Sequence, residues 1–291
     1  MKLSSLIDRY DVFFIDLWGV THNGQKLFSG ALKAYENIKA AGKSSFILSN
    51  APRMPDAAIQ RLNQMGLSRD LYCDLYTSGY ECHNHLKDRP DTFYQSLGTR
   101  LYHMGPERDR NLFDTLDYTP VHNIRDADFL LVTGTDTWNR TLESYQDDLD
   151  QALKRGLPLV CSNPDKRVLY GDQLVLCSGA IAARYQEMGG QMRKHGKPDP
   201  ATYGSLHNQV QNLLGKDVHK DRLLMIGDSL ATDIRGANAY GIDSLMVLTG
   251  LHGSELLPHF SSNAEQFSEA LDKLVVDYGS KPTYVAERLA W

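Results

Sequence analysis

Long apolar runs are missing from this sequence: nowhere do about eighteen uncharged apolar residues, the minimum for a membrane span, follow one another. The apolar stretch inside MKLSSLIDRYDVFFID is also too short for a secretory signal. These absences exclude a helical membrane anchor in the chain and lead to the expectation of a cytoplasmic protein. Cysteine is scarce, with only Cys73, Cys82, Cys161 and Cys177 and no CxxC pair. That is too sparse for a disulfide framework and leads to the expectation of buried free thiols. No basic run occurs, and the net charge of -5 gives no attraction for nucleic acid or anionic lipid. No repeat or low-complexity tract interrupts the chain.

What remains is globular: 42% hydrophobic and 23% charged residues over 291 positions are enough to bury one large or two ordinary cores. Short apolar runs alternate with segments of helical period, the pattern of a parallel sheet covered by helices. The runs are Val12–Ile15, Phe46–Leu48, Phe129–Val132, Leu157–Val160, Leu223–Ile226 and Leu245–Leu248. Leu32, Tyr35 and Ile38 form one helical stripe stopped by Gly42, and Ala58, Leu62 and Met65 another stopped by Gly66. A third stripe runs from Leu142 through Tyr145, Leu149, Ala152 and Leu153, and a fourth (Ile181, Tyr185, Met188) stops at Gly189-Gly190. A fifth helix is expected from its Asp199-Pro200 start, through Tyr203, Leu206 and Val210, to Gly215. Residues 80–186 carry a βα series of their own, long enough to be an inserted domain. The expected fold is thus a doubly wound, Rossmann-like α/β core over residues 1–79 and 187–291, with an α/β insertion between.

Three apolar runs end abruptly in polar residues: VFFID at Asp16, FILSN at Ser49-Asn50, and LLMIGDS at Asp228-Ser229. In an open parallel sheet, ligands bind beyond the carboxyl ends of the strands, so these side chains are expected to converge. Lys197, in HGKPDP, and Asp233, five residues past Asp228, complete a set of carboxylates, an amine, a hydroxyl and an amide. Oxygen ligands suit a hard divalent cation, donors suit phosphate oxygens, and a carboxylate can act as a covalent nucleophile. The residues by themselves indicate a metal-assisted phosphate site, without naming a family or an order of steps.

In order and spacing, Asp16-Leu17-Trp18-Gly19-Val20, Ser49-Asn50, Lys197 in GKPDP and GDSLATDIRGA from Gly227 to Ala237 resemble the four motifs of the haloacid dehalogenase-like superfamily. The insertion, with SNPD at Ser162 to Asp165, resembles the α/β cap of subfamily IIA, which includes nitrophenylphosphatase-like and sugar-phosphate phosphatases. The resemblance implies that Asp16 attacks phosphorus and that Ser49 and Lys197 hold the phosphoryl oxygens. It implies further that Asn50 orients the substrate and that Mg²⁺ is held by Asp16, Asp228, Asp233 and the backbone carbonyl of Trp18. Its partner would be a small phosphorylated metabolite of the sugar or nucleotide phosphate class, and any homo-oligomer would form through the cap.

The sequence departs from this pattern at Trp18. Phosphatases of the superfamily carry there a second aspartate that serves as general acid and base, and indole cannot exchange protons at neutral pH. His22, in THNG, is a candidate replacement because its pKa suits the task. Ser78, Asn163 and Asp165 are candidate substrate contacts from the hinge and cap. The leading expectation is a phosphatase working through an aspartyl-phosphate, slowly for want of the proton carrier. The alternative is a phosphate-ligand-binding protein without turnover. A dehalogenase, suggested by the aromatic residue at 18, comes third, because the Asp228 and Asp233 pair points to a metal that such enzymes do not use.

Overall fold

The computed structural model describes residues 1–137, 140–170 and 173–291. Its strands are β1 (Val12–Ile15), β2 (Ser44–Ser49), β3 (Asp74–Thr77), β4 (Arg100–Met104), β5 (Thr119–Val121), β6 (Phe129–Val132) and β7 (Leu159–Cys161), followed by β8 (Arg167–Tyr170), β9 (Gln173–Leu176), β10 (Met192–Lys194), β11 (Leu223–Gly227), β12 (Asp243–Val247) and β13 (Tyr284–Ala286). A first sheet of six parallel strands has the order β13-β12-β11-β1-β2-β3. A second sheet of five parallel strands runs β10-β7-β6-β4-β5, and β8 and β9 form an antiparallel hairpin.

All four residues of β1 and all five of β11 are buried, as expected for parallel strands covered on both faces. One face of the first sheet packs Phe13, Ile15, Ile47, Leu224 and Ile226 against Tyr35, Ile38 and Leu62 of the helices Ala31–Ala40 and Pro55–Gln64. The opposite face packs Phe14, Phe46 and Met225 against Tyr203, Leu206 and Val210 of the helix Pro200–Leu214. That helix starts and stops as its sequence indicates: the Asp199 side chain accepts the Ala201 N–H, and Gly215 closes it in the left-handed conformation. From β1 the chain moves outward through β2 and β3, and from β11 in the other direction through β12 and β13. The reversal falls between β1 and β11, the place where doubly wound sheets open a ligand crevice.

The second sheet extends past the expected end of the insertion at 186, because Met192–Lys194 pairs with β7 as its edge strand. The run expected at Leu157–Val160 is displaced to Leu159–Cys161, and the Leu142 stripe opens as a 3₁₀ turn at Leu142–Tyr145 before the helix Gln146–Lys154. Cys82, Cys161 and Cys177 are buried, whereas Cys73 is exposed, contrary to expectation. Among the described residues no helix is long and apolar enough to cross a membrane.

Candidate active site

Asp16 and Asp228 leave the ends of adjacent strands, since β1 pairs with β11 and the Asp16 N–H donates to the Ile226 carbonyl at 2.9 Å. Immediately after β1 the chain folds back on itself: the Thr21 hydroxyl donates to the Asp16 carbonyl at 2.8 Å and lies 3.1 Å from the Tyr35 hydroxyl. Gly19 takes φ +81°, and a Cβ there would stand 2.3 Å from Oδ2 of Asp228. The same carboxylate lies 1.7 Å from where a Cβ of Gly250 would be, so two glycines clear the space that Asp228 occupies. The Leu251 N–H holds Oδ2 of Asp228 at 2.8 Å.

Asp233 lies on a π-helical turn, Leu230–Ile234, of the kind often found at functional sites. Its Oδ2 accepts the N–H groups of Asp228 and Ser229, each at 3.2 Å, while its Oδ1 takes the Lys197 ammonium at 2.6 Å. The acid therefore both caps the turn and faces the site. Lys197, 2% exposed, uses its three donors on Asp16 Oδ1 (2.5 Å), Asp233 Oδ1 and the Leu48 carbonyl (3.0 Å).

One carboxylate oxygen from each of Asp16, Asp228 and Asp233 lies within 4.8 Å of the others, and all three residues are buried. Burial pushes the Asp16 carboxyl up to about 7, against the pull of Lys197 and with the help of Asp233. Burial and the same neighbouring carboxylates push Asp228 well above its ordinary range. Burial alone would lower the Lys197 ammonium, but Asp16 and Asp233 more than offset it and hold the group above its usual value. Three carboxylates against one ammonium leave an excess of negative charge in a dry place, which a cation with oxygen preference relieves. The donor set fits a hard divalent ion.

These residues form the inner end of a cleft of about 540 Å³, which Trp18, His22, Ser49, Asn50, Asn163 and Asp165 also line. The Ser49 hydroxyl accepts the Ala51 N–H at 3.2 Å, and its own proton has no acceptor among the described residues. Asn50, expected to orient a substrate, is occupied by protein on both sides of its amide. Its nitrogen donates to Asp165 Oδ1 (2.8 Å) and the Lys197 carbonyl (3.1 Å), and its oxygen accepts the Lys197 N–H (2.8 Å). Asn163 holds the neighbouring turn by accepting the Asp165 N–H at 2.9 Å. Asp165 is raised to about 6 by burial, with Asn50 acting against it.

Ser78 is not part of the cleft wall; its hydroxyl donates to the Ala51 carbonyl at 3.1 Å, beneath the Ser49-Asn50 turn. The His22 ring lies 5.1 Å from that of Trp18, and its Nδ1 accepts the Gly24 N–H. Burial, reinforced by the charge of Arg61, lowers it to about 4, so at neutral pH it carries no spare proton to donate as an imidazolium. Trp18 also meets Tyr170 of β8, with ring centroids 5.9 Å apart. Arg53, Arg61, Arg108, Arg167 and Asp109 line the outer cleft and were not singled out from the sequence. The one signal for them was Arg53, four residues after Ser49 in the same strand-end loop.

Two family models cover most of this architecture: a haloacid dehalogenase-like hydrolase model matches residues 13–119, and a HAD-hydrolase-like model matches residues 194–291. A crystal structure of a hydrolase of the haloacid dehalogenase-like family from Brucella suis superposes with a TM-score of 0.84 at 29% identity, covering 99% of each chain. The chain belongs to the haloacid dehalogenase-like hydrolases. Among curated relatives, the D-glycerol 3-phosphate phosphatase of Mycobacterium tuberculosis is 27% identical over 256 residues, 87% of this chain and 67% of that protein. The 5'-nucleotidase YutF of Bacillus subtilis is 25% identical over 267 residues, 91% of this chain and 96% of its own.

Proposed function

We propose that this HAD-like hydrolase is a phosphatase of small phosphomonoesters in which Asp16 is the nucleophile. The observation that carries the reading is the buried meeting of Asp16, Asp228, Asp233 and Lys197 at the switch point of the first sheet. Relatives that act on glycerol phosphate and on nucleotides support the reaction class. The first sheet with its helices is the catalytic core, and the second sheet with the β8–β9 hairpin is the cap that closes over it.

Asp16, Asp228 and Asp233, with the Trp18 carbonyl, would hold Mg²⁺, which when bound offsets charge on the phosphoryl oxygens. Asp16 attacks phosphorus, the bond to the leaving oxygen breaks, and water later releases phosphate from the aspartyl group. Lys197, between Asp16 and Asp233, neutralises the phosphoryl group, and the unused Ser49 proton donates to one of its oxygens. Asn50 contributes by fixing Lys197 and Asp165 with respect to each other.

Hydrolysis of a phosphomonoester panel with Mg²⁺ and with chelator tests the reading, with Asp16→Asn alongside. Wild-type turnover that needs the divalent ion and disappears in a folded Asp16→Asn protein is the expected result. Turnover persisting at the wild-type rate in that variant would remove Asp16 from the role. A second reading, ligand binding without turnover, is favoured by Trp18, whose ring occupies the cleft wall where the superfamily's proton carrier belongs. Calorimetric binding of the same compounds with no phosphate release would select it.

A further inference from the structure

Apart from Asp16, Asp228, Asp233, Lys197 and Asp165, the charged residues lining the cleft are Arg53, Arg61, Arg108, Arg167, Asp109 and Asp136, four cations against two anions. Arg61, Arg108 and Arg167 are exposed, which places this cationic set toward the mouth. Asp136 is already engaged by Arg140 at 2.8 Å and by the Tyr145 hydroxyl at 2.9 Å.

Arg53 is the built member of this group. Its carbonyl accepts the Thr77 hydroxyl at 2.7 Å, and its backbone N lies 2.3 Å from where a Cβ of Gly79 would be, so the backbone is pressed onto the start of the helix Ser78–Asp88. Behind the guanidinium stands Asp109, whose side chain is only 2% exposed, with Oδ1 3.3 Å from Arg53 Nε. Both of those atoms are buried without a hydrogen-bond partner, so the two groups attract each other but are not aligned. The Arg53 side chain as a whole stays 30% exposed along the cleft. A guanidinium held from behind by a buried carboxylate, with no hydrogen-bond acceptor for its remaining donors among the described residues, is arranged to receive an anion from the front.

We propose that the outer cleft is an anion subsite centred on Arg53, so that the preferred substrate is a phosphomonoester whose organic part bears a second negative group. This rests on the phosphatase reading and names the substrate class for the same site. A carboxylate and a second phosphate share the required chemistry.

Matched pairs test it: glycerol 3-phosphate against 3-phosphoglycerate for the carboxylate, and fructose 6-phosphate against fructose 1,6-bisphosphate for the phosphate. The wild-type protein should favour the doubly anionic member of at least one pair in kcat/KM. The pair that discriminates identifies the second anion. Arg53→Ala should erase that preference by about 10- to 100-fold, the range of a charge-assisted hydrogen bond, mainly through KM, and Arg53→Lys should retain part of it. Equal kcat/KM within both pairs for wild type, or an Arg53→Ala loss shared equally by both members, overturns the subsite. Should no compound be turned over, the phosphatase reading fails separately, and calorimetric titration of the same pairs decides the subsite. Tighter binding of the doubly anionic member supports it, and equal affinity overturns it.

Discussion

Trp18 carries two consequences at once, one chemical and one steric. Its ring packs edge-on to His22 and tilted against Tyr170, and Gly24 at φ +87° leaves room for it, since a Cβ there would lie 2.5 Å from the indole. Without a proton carrier at this position, hydrolysis should be slower by about 10²- to 10⁴-fold for alkoxide leaving groups than for an enzyme that has one. Nitrophenolate needs little protonation and should suffer least. Trp18→Asp is therefore expected to raise kcat on glycerol phosphate more than on nitrophenyl phosphate. Because the ring is only partly buried, the stability lost should be below the roughly 3–5 kcal/mol of a fully buried aromatic. Rates on the two esters, with a urea titration of each protein, check both parts. A folded variant with no gain on either ester would favour the binding reading. Asp16, Ser49, Asn50 and Asp228 were legible in the sequence because each follows an apolar run whose end is abrupt, and Asp233 because of its spacing from Asp228. Arg53 and Asp109 were not, because their juxtaposition depends on two sheets meeting, which no local pattern records.

Among the elements, the loop after β2 connects most of the site. Asn50 bonds to the Asp165 side chain from the second sheet's side and to both backbone polar groups of Lys197. At Gly196 the backbone takes φ +101°, and a Cβ would meet Asn50 Oδ1 at 2.4 Å, so the approach requires glycine. Asn50→Ala removes three hydrogen bonds and leaves buried groups unpaired, which should cost on the order of 2–4 kcal/mol. Amide hydrogen exchange should rise selectively around residues 163–165 and 196–198, as measured by mass spectrometry. Uniform exchange across the chain would show that Asn50 is not a local tether. Strands missed from sequence include two kinds: β5 (TPV) and β10 (MRK) are short edge strands with exposed residues, and an edge needs no continuous apolar run, whereas β4 is an inner strand whose apolar run is broken by Arg100 and His103. Central strands such as β1, β6 and β11, buried throughout, were plain.

Across the whole molecule, the crowded carboxylates at the switch point contribute a distinct component to how stability depends on pH. Asp16, raised to about 7, holds in the folded state a proton that the unfolded chain releases near pH 4. The folded state thus binds more protons between those values, and stability falls as pH rises through that window. Asp165, raised to about 6, acts in the same direction. The Asp11 carboxyl, lowered by hydrogen bonds from Arg222 and Lys43, has the opposite sign, but its contribution is lost only below about pH 4. His22 and His103, each lowered to about 4 by burial, act oppositely below the ordinary histidine value, so the Asp16 contribution shows as a difference between two proteins. In chelator, Asp16→Asn should lose the decline in stability with rising pH that Asp16 adds to the wild type between about pH 4 and 7, on the order of 1 kcal/mol per pH unit by urea titration. Saturating Mg²⁺ should flatten the decline, since cation binding favours the ionised carboxylates. An identical pH dependence of stability in the two proteins would contradict the burial of the Asp16 charge.

Lys197 follows β10 by only three residues, and β10 is the edge strand of the second sheet, while the lysine side chain lies among carboxylates of the first. The cation of the site thus sits at the junction of the two halves, three residues past an edge strand of one and with its backbone bonded to Asn50 of the other. Were the two sheets to separate to admit or release a ligand, the strain along the connection from β10 would reach the lysine as well as the roof of the cleft. Opening of the cover and placement of the ammonium would then be coupled, so that the swing that lets product leave would also loosen the electrostatics that held it.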